Sequence, residues 1–350
     1  MDSGLANPTP APLDEPAAPA IVRDGEATLR VLAEPYTRFL GLDGVTDVCV
    51  NRPGVVWVSR FGRWERHSVP ALAYTRLENI AVLAAGLTNQ DVGPYSPICR
   101  TILPDGQRVL LVVPPCADAG HVVLSARKPA DFSLEPERLE ADGVFDGCRR
   151  SGDGTDDTDA RLKALLDAGR WMDFLKAAVL ARKNIGITGA TGSGKTTLLN
   201  SLTRFIPREE RLFSIEDTFE LKLEHENVVR TQYSKGGQGS SKVGSVELLE
   251  AALRAFPSRI LQGEISDEAA FTYVRTAAAG HPGSIATWHA KNARVARDAL
   301  AMMFRQHEAA RTFTDDTVTG YIRQFVEVVV HMERRPGEKP KVKEILFDPA

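Results

Sequence analysis

The chain has 350 residues, of which 43% are hydrophobic and 25% are charged, and this composition is that of an ordinary globular protein. The length is sufficient for two domains that each bury a core of their own. The formal net charge is -3, so bulk electrostatics provides no reason for binding to nucleic acid, and we expect no direct sequence-specific contact with it.

The four cysteines are widely spaced and form no CxxC pair. Such spacing does not suit a zinc site or a disulfide framework, and it indicates a reduced, cytoplasmic compartment. Residues 1–24 are rich in Pro and Ala, and they predict a disordered tail rather than a secretory leader. No window approaches the ~20 apolar residues of a membrane span, so we expect any work at a membrane to be done from outside the bilayer.

The first part of the chain alternates between helical and strand patterns. Apolar residues recur at helical spacing over residues 26–40 and 77–87. Turn residues separate β-rich runs, and the turn Pro104-Asp-Gly predicts a hairpin. The runs predict strands at residues 45–50, 55–59, 63–69, 100–103, 108–113 and 121–127. We therefore predict an N-terminal α/β domain over residues 25–130.

Residues 131–170 have a different composition. The stretch 151–159 is rich in Gly and Asp, which is typical of a linker, and an ordinary long surface loop is the alternative. From residue 171 to residue 350, strands again alternate with helices, which predicts parallel βαβ units. The predicted strands are 184–188, 211–215, 259–262 and 284–289, and the predicted helices are 195–204, 246–256, 269–279, 294–310 and 315–324. A final hairpin is predicted from residues 325–332 and 341–347, joined through Pro336-Gly.

One motif lies directly between the strand at 184–188 and the helix at 195–204, and it matches GxxxxGK[ST] in full. Its glycines let backbone N–H groups turn towards phosphate oxygens, and the helix N-terminus adds partial positive charge. Lys195 would neutralise the β- and γ-phosphates, and the Thr196 hydroxyl would ligate Mg²⁺. A chance glycine-rich turn is the alternative. We predict that ATP and Mg²⁺ bind to the phosphate loop (residues 189–196) and the residue after it: Gly189, Ala190, Thr191, Gly192, Ser193, Gly194, Lys195, Thr196 and Thr197.

Acidic residues follow two of the other predicted strands. The carboxyl ends of parallel strands meet at one edge of a sheet, where ligands bind. Glu264 would hold the magnesium shell or polarise the attacking water, or it is an ordinary exposed acid at a strand end. Glu216 and Asp217 would position water or magnesium, or they cap a helix. These three carboxylates are candidate catalytic residues.

Two histidines complete the set of candidate catalytic residues. His281 lies in the turn before the strand at 284–289, and His289 ends that strand. Either would bond the γ-phosphate and respond to its loss, or would be a structural histidine. Their eight-residue separation is not a zinc-ligand pattern, so we expect no metal site built from this pair.

Four clusters in this order resemble the secretion ATPase superfamily, in which they correspond to the Walker A, Asp box, Walker B and His box. They lie at residues 189–196, 215–221, 263–264 and 280–289. Further segments are similar to the traffic ATPases of type IV secretion systems, and the resemblance covers most of the chain from about residue 25. These segments include Trp171-Met-Asp-Phe-Leu-Lys, Gln232-Tyr-Ser-Lys-Gly-Gly, Glu344-Ile-Leu-Phe-Asp-Pro, Asn51-Arg-Pro-Gly, Leu103-Pro-Asp-Gly-Gln-Arg and Ala126-Arg-Lys-Pro.

The resemblance implies an α/β fold with an N-terminal α/β domain and a C-terminal recombinase-like P-loop NTPase domain with a mostly parallel sheet. It also implies a homohexameric ring that hydrolyses ATP, with the nucleotide between the two domains. Arg108 and Arg127 match the arginines that reach the nucleotide in the family, or they are surface arginines on strands. The implied location is cytoplasmic and peripheral to the inner membrane, with the inner-membrane components of a type IV secretion system as partners.

The chain departs from the family beside Glu264. The family has Gly-Glu-x-Arg-Gly, whereas here Ser266 replaces the arginine and Asp267 the glycine. Gln262 also places an amide where an apolar residue is usual, and a buried amide needs hydrogen-bond partners. We expect nucleotide binding to persist, while the departures motivate a second hypothesis, a nucleotide-gated assembly platform with little turnover. A third is the ATPase of a type II secretion or type IV pilus system, although the segments at residues 51–54 and 233–237 favour type IV secretion.

Overall fold

The structure, a computed structural model, describes residues 25–129, 136–148, 157–234, 239–265 and 269–348. The predicted tail (residues 1–24) and Ser266 and Asp267 lie outside the described residues. Within the described ranges, two β-sheets form, one in each half of the chain. None of the helices in these ranges is both long enough and apolar enough to span a membrane.

The first domain contains a fully antiparallel sheet covered by two helices. The helices are α1 (Glu26–Thr37), which runs into a 3₁₀ turn at Arg38–Gly41, and α2 (Tyr74–Gly86). The strands are β1 (Val45–Arg52), β2 (Val55–Arg60), β3 (Arg63–Ser68), β4 (Ile98–Ile102), β5 (Arg108–Val112) and β6 (Val123–Arg127). They are ordered β3-β2-β1-β6-β5-β4, and Leu29 and Leu77 of the helices pack on Val48 and Leu111 of the sheet. The predicted α/β class of this domain is confirmed.

The segment predicted as a linker contains two helices in its described part, α3 (Pro136–Ala141) and α4 (Asp157–Asp167). Leu162 of α4 is buried in one core with Phe174 of the next helix, α5 (Trp171–Leu180). Lys183 also holds α4 in place through two ion pairs, since its Nζ lies 2.7 Å from Asp159 of α4 and 2.9 Å from Glu327. These contacts attach α4 to the second domain, ahead of the predicted start at residue 171.

The second domain is built on a sheet that is parallel except at one edge, which confirms the predicted class. Its strands are β7 (Ile185–Gly189), β8 (Leu212–Glu216), β9 (Val228–Gln232), β10 (Arg259–Gln262), β11 (Ile285–Trp288), β12 (Val328–Glu333) and β13 (Lys341–Phe347). The order is β13-β12-β7-β11-β10-β8-β9, and only β13, which returns as the predicted hairpin, is antiparallel to its neighbour. Edge strand β9 was not predicted.

Helices cover both faces of this sheet, which is why its central strands are short apolar runs. On one face, α5 and α6 (Lys195–Thr203) bury Phe174 and Leu199 against Ile187. The other face carries four helices that share one core with Trp288. These helices are α7 (Ser245–Ala255), α8 (Ala269–Ala278), α9 (Ala296–Phe304) and α10 (Asp315–Phe325).

The two domains meet at a joint that is partly apolar and partly polar. Leu110 and Val123 of the first sheet lie in the same core as the helices of the second domain. Next to them, the fully buried Arg211 donates hydrogen bonds to the side-chain oxygens of Asn51 (2.9 Å) and Asn227 (2.6 Å). Burial lowers the pKa of Arg211. The joint therefore holds the first domain against the β8–β9 side of the second sheet.

Candidate active site

The phosphate loop follows β7 directly, and its backbone needs glycine at both ends. Gly189 has a φ of 149° and Gly194 has a φ of 94°, a region that disfavours residues with a Cβ. A Cβ on Gly189 would also lie 2.3 Å from the carbonyl oxygen of Met332, on the neighbouring strand. The loop can therefore turn into α6, whose first residue is Lys195, only because glycine occupies these positions.

Lys195 is almost completely buried within this loop. Its Nζ donates hydrogen bonds to the carbonyl oxygens of Gly189 (3.1 Å) and Ala190 (3.2 Å). Burial lowers the pKa of Lys195, and the nearby charge of Glu264 opposes that shift. The ammonium group is thus held by carbonyls that phosphate oxygens could replace as stronger, charged acceptors.

A cleft of ≈ 430 Å³ lies at the carboxyl edge of the parallel strands. A larger cavity of ≈ 730 Å³ lies between α4 and α5, but none of the predicted site residues lines it. The cleft is where the phosphate loop meets the residues that follow β8, β10 and β11, as expected for an open parallel sheet. Of the predicted site residues, those that line it are Thr191, Gly192, Ser193, Gly194, Lys195, Thr196, Thr197, Glu216, Asp217, Glu264 and His289.

Glu264 and His289 lie beside each other on the wall of the cleft that follows β10 and β11. The Nε2 atom of His289 lies 3.8 Å from a carboxylate oxygen of Glu264, and its Nδ1 lies 3.0 Å from the carbonyl oxygen of Gly189. Because a carbonyl only accepts hydrogen bonds, Nδ1 carries the proton and donates to it. His289 is therefore bonded to the phosphate loop and lies beside the candidate catalytic carboxylate.

Glu216 is buried and its carboxylate is engaged by the protein itself. One oxygen accepts the backbone N–H groups of Glu220 (2.8 Å) and Leu221 (2.7 Å), and the other accepts the hydroxyl of Ser214 (2.9 Å). Burial raises the pKa of Glu216, against the effect of these hydrogen bonds. This geometry favours the alternative in which Glu216 shapes the wall of the cleft by capping backbone groups.

Asp217 differs from its neighbour, because it is only partly buried and its carboxylate accepts a hydrogen bond from the N–H of Thr218 (2.9 Å). Together with Glu264 and the hydroxyl of Thr196, it places oxygen donors around the cleft. Mg²⁺ prefers oxygen ligands and usually takes one or two from the protein and the rest from phosphates and water. The residues of the cleft fit such an ion.

The structure does not bring His281 to the cleft. It precedes β11 and lies at the opposite end of that strand from His289. Its Nδ1 is 3.0 Å from the carbonyl oxygen of Pro257, and burial lowers its pKa. These contacts favour the structural alternative for His281.

Arg108 and Arg127 are also distant from the phosphate loop of the same chain. They are direct cross-strand neighbours on β5 and β6. The guanidinium of Arg127 pairs with Asp47 (2.8 Å) and lies 4.0 Å from the centre of the Phe256 ring. Since Phe256 precedes β10, this contact is at the amino edge of the parallel strands, whereas the phosphate loop is at the carboxyl edge. Within the described part of the chain, none of the residues that line the cleft belongs to the first domain.

The unusual amide at Gln262 is fully buried on β10. Its Nε2 donates to the backbone carbonyl of Glu264 (3.2 Å), while its Oε1 has no hydrogen-bond partner among the described residues. Gln262 therefore supports the backbone of the candidate catalytic carboxylate.

Among the described residues that line the cleft, Arg334 and Pro340 lie outside all four sequence clusters, and the sequence did not predict them as site residues. They lie on the turn between β12 and β13. Strand β12 runs parallel to β7, with Met332 paired to Gly189, so Arg334 follows a strand end at the same edge as the phosphate loop. Glu264 was selected because residues that follow parallel strands meet at the ligand-binding edge of the sheet. The same rule would have selected Arg334 if the sequence had shown that β12 lies beside β7.

A mostly parallel sheet with helices on both faces, a glycine-rich phosphate loop and an adjoining carboxylate define a P-loop nucleoside triphosphatase domain. The family described as "Type II/IV secretion system protein" matches residues 165–334 of the chain.

Relatives cover nearly the whole chain. VirB11 of Agrobacterium fabrum is 38% identical over 91% of this chain and 92% of its own length. The VirB11 type IV secretion system protein of Bartonella quintana is 36% identical over 90% and 92%, and PtlH of Bordetella pertussis is 35% identical over 90% and 93%. The crystal structure of the VirB11 ATPase from the Brucella suis type IV secretion system, in complex with sulphate, superposes with a TM-score of 0.87 at 33% identity and covers 92% of this chain and 95% of that one. The chain belongs to the VirB11 family of type IV secretion ATPases.

Proposed function

We propose that the protein binds ATP with Mg²⁺, hydrolyses it, and works as one subunit of a hexameric ring that drives transport or pilus assembly by a type IV secretion system. The observation that supports turnover is the arrangement of Lys195, Glu264 and His289 around one cleft. Membership of the VirB11 family favours type IV secretion over the type II secretion or type IV pilus alternative.

The chemistry follows from three side chains. Lys195 exchanges its two carbonyl partners for phosphate oxygens and neutralises their charge. Glu264 polarises the water that attacks the γ-phosphate, because it follows β10 at the carboxyl edge of the sheet and lines the cleft together with Lys195 and His289. His289, which bonds the loop through Gly189, couples the state of the γ-phosphate to the backbone of the loop. When bound, Mg²⁺ adds positive charge at the transferring phosphoryl group.

Phosphate release by three proteins tests this proposal. The wild type is expected to release phosphate in a magnesium-dependent manner, and Lys195→Ala is expected to lower turnover by at least about 10²-fold. Lys163→Ala is the matched control, since Lys163 is exposed on α4 and does not line the cleft. Equal, slow release by wild type and Lys195→Ala under ring-forming conditions would refute hydrolysis at this site.

The assembly-platform alternative keeps ATP binding and removes turnover. Ser266 and Asp267, which motivate it, lie outside the described residues. Tight binding of ATP by the wild type, with negligible phosphate release even in the ring with its partners, would favour this alternative over the motor.

We further propose that Arg108 and Arg127 act on the nucleotide of a neighbouring subunit in the ring. Both are exposed on the first sheet, near the amino edge of the parallel sheet in the second domain and away from the phosphate loop of the same chain. In a head-to-tail ring, a heterologous contact brings different faces of successive subunits together. Exposed guanidinium groups at such a contact would bind phosphate in bidentate fashion.

Mixed rings test this proposal. The Lys195→Ala variant and an Arg108→Ala/Arg127→Ala double variant should each be inactive alone. Mixing them should restore part of the activity, because some sites then combine an intact phosphate loop from one subunit with intact arginines from the next. Absence of any recovery in verified mixed rings would contradict action between subunits.

The remaining proposals concern location and partners. We propose that the ring works at the cytoplasmic face of the inner membrane, in peripheral contact with the inner-membrane components of the secretion system. The names of its VirB11 and PtlH relatives as type IV secretion system proteins support that assignment. Co-purification with those components from membrane fractions, and its loss on washing with salt, would test it.

A further inference from the structure

The turn between β12 and β13 forms one wall of the nucleotide cleft. Met332 of β12 pairs with Gly189, and the chain reaches the cleft two residues later at Arg334. It returns through Pro340, whose ring covers the phosphate loop so closely that a Cβ on Gly194 would lie 2.7 Å from the Cβ of Pro340. This turn therefore contacts the phosphate loop from the side opposite to the candidate catalytic residues.

Arg334 lines the cleft, whereas two other cations near this turn are engaged by carboxylates. Arg335 pairs with Glu333 at 3.3 Å, and Lys341 pairs with Glu338 at 2.7 Å. Arg334 donates from Nε to the backbone carbonyl of Glu338 at 3.3 Å, and no carboxylate within the described ranges forms an ion pair with it. The remaining N–H groups of its guanidinium can thus bind an anion at the cleft, where the loop holds Lys195 as a second cation.

The order of the strands indicates which part of the nucleotide lies beside Arg334. Glu264 and His289 follow β10 and β11, on one side of β7, while Arg334 follows β12, on the other side. The γ-phosphate must lie beside Glu264, because the attacking water has to be within hydrogen-bond reach of the residue that polarises it. The α- and β-phosphates therefore extend towards β12.

We propose that Arg334 binds the α- or β-phosphate of the nucleotide held by its own subunit. The inference rests on the proposed binding of ATP at this cleft. A guanidinium fork makes charge-assisted, bidentate hydrogen bonds to phosphate oxygens. Since these oxygens are present in both ADP and ATP, Arg334 contributes to binding before and after hydrolysis, unlike a residue that detects the γ-phosphate.

Binding measurements with three probes test the proposal. The probes are ADP, a non-hydrolysable ATP analogue and inorganic tripolyphosphate, measured calorimetrically at fixed ionic strength. Arg334→Ala should weaken all three by about tenfold, as expected for loss of hydrogen bonds between charged groups at a partly hydrated site. Arg335→Ala is the matched control, because Arg335 is also exposed and is already paired with Glu333, and it should bind within about twofold of the wild type.

Each other outcome overturns the assignment in a distinct way. Unchanged binding by Arg334→Ala would show that this side chain does not contact the nucleotide. A loss for the ATP analogue alone would place it at the γ-phosphate, and a loss for both nucleotides but not tripolyphosphate would place it at the base or ribose. Wild-type protein that binds none of the probes would refute the proposed function and the inference with it. Unfolding midpoints of both variants equal to that of the wild type verify that the fold is intact.

Discussion

Glu216 is the candidate catalytic residue whose hydrogen bonds most favour a structural role, and two substitutions distinguish that role from a catalytic one. Its carboxylate is almost fully buried and accepts the N–H groups of Glu220 and Leu221 with a single oxygen. In Glu216→Gln the amide oxygen can take that place and keep both bonds, while the amide nitrogen can donate to the hydroxyl of Ser214. In Glu216→Ala both backbone N–H groups lose their acceptor.

The expected magnitudes follow from this geometry. An unsatisfied buried donor costs about 1–3 kcal/mol, and one of the two donors is only partly buried, so Glu216→Ala should lower the free energy of unfolding by about 2–4 kcal/mol. Glu216→Gln exchanges charge-assisted hydrogen bonds for neutral ones and should cost about 1 kcal/mol. If Glu216 only shapes the wall of the cleft and accepts no proton, the turnover of Glu216→Gln should stay within about threefold of the wild type. The turnover of Glu264→Gln, in contrast, should fall by about 10²–10⁴-fold.

Urea denaturation and steady-state phosphate release on the same preparations measure both effects. The structural assignment predicts that stability falls in Glu216→Ala and that activity in Glu216→Gln remains close to that of the wild type. If Glu216→Gln keeps its free energy of unfolding but loses turnover as severely as Glu264→Gln, the carboxylate takes part in the chemistry and the reasoning from its hydrogen bonds is wrong.

Two further predictions concern pH and packing. Because burial lowers the pKa of Lys195 below its usual 10.5 in the free protein and bound phosphate favours the charged ammonium, ATP binding should take up a proton in alkaline solution. Affinity should then fall as pH rises through the lowered pKa, and calorimetry in two alkaline buffers of different ionisation enthalpy would show the uptake; an identical heat in both buffers would contradict it. In the core, a Cβ on Gly186 would lie 1.9 Å from the Trp288 ring, so Gly186→Ala should lower the free energy of unfolding by about 1–3 kcal/mol. Gly320→Ala is the contrasting control, since Gly320 lies in α10 with open space around it, and its free energy of unfolding should rise by up to about 1 kcal/mol. Loss of stability in both variants, or in neither, would show that the clash with the Trp288 ring does not decide the outcome.

The sequence by itself determined the features that depend on neighbouring residues. The phosphate loop could be recognised because Gly189, Gly194 and Lys195 act through the local backbone, with a strand before them and a helix after them. Hydrophobic periodicity located most helices and strands, and alternation of the two predicted the parallel sheet. The strand-end rule was enough to select Glu264 and His289 as candidates, because both lie within two residues of the end of a strand of that sheet.

Only the tertiary structure decided the features that depend on strand order and on contacts between distant segments. No local pattern shows that β12 lies beside β7, so Arg334 could not be assigned to the cleft from the sequence. His281 and His289 are close in sequence, yet a short strand separates them onto opposite edges of the sheet. Arg108 and Arg127 likewise lie at the far edge, because Arg127 of β6 packs on Phe256 at the end of α7, just before β10. Hydrogen bonds and side-chain packing between segments that are distant in sequence form only in the folded chain. Residue type and spacing therefore predicted a nucleotide site but not all of the residues that line it.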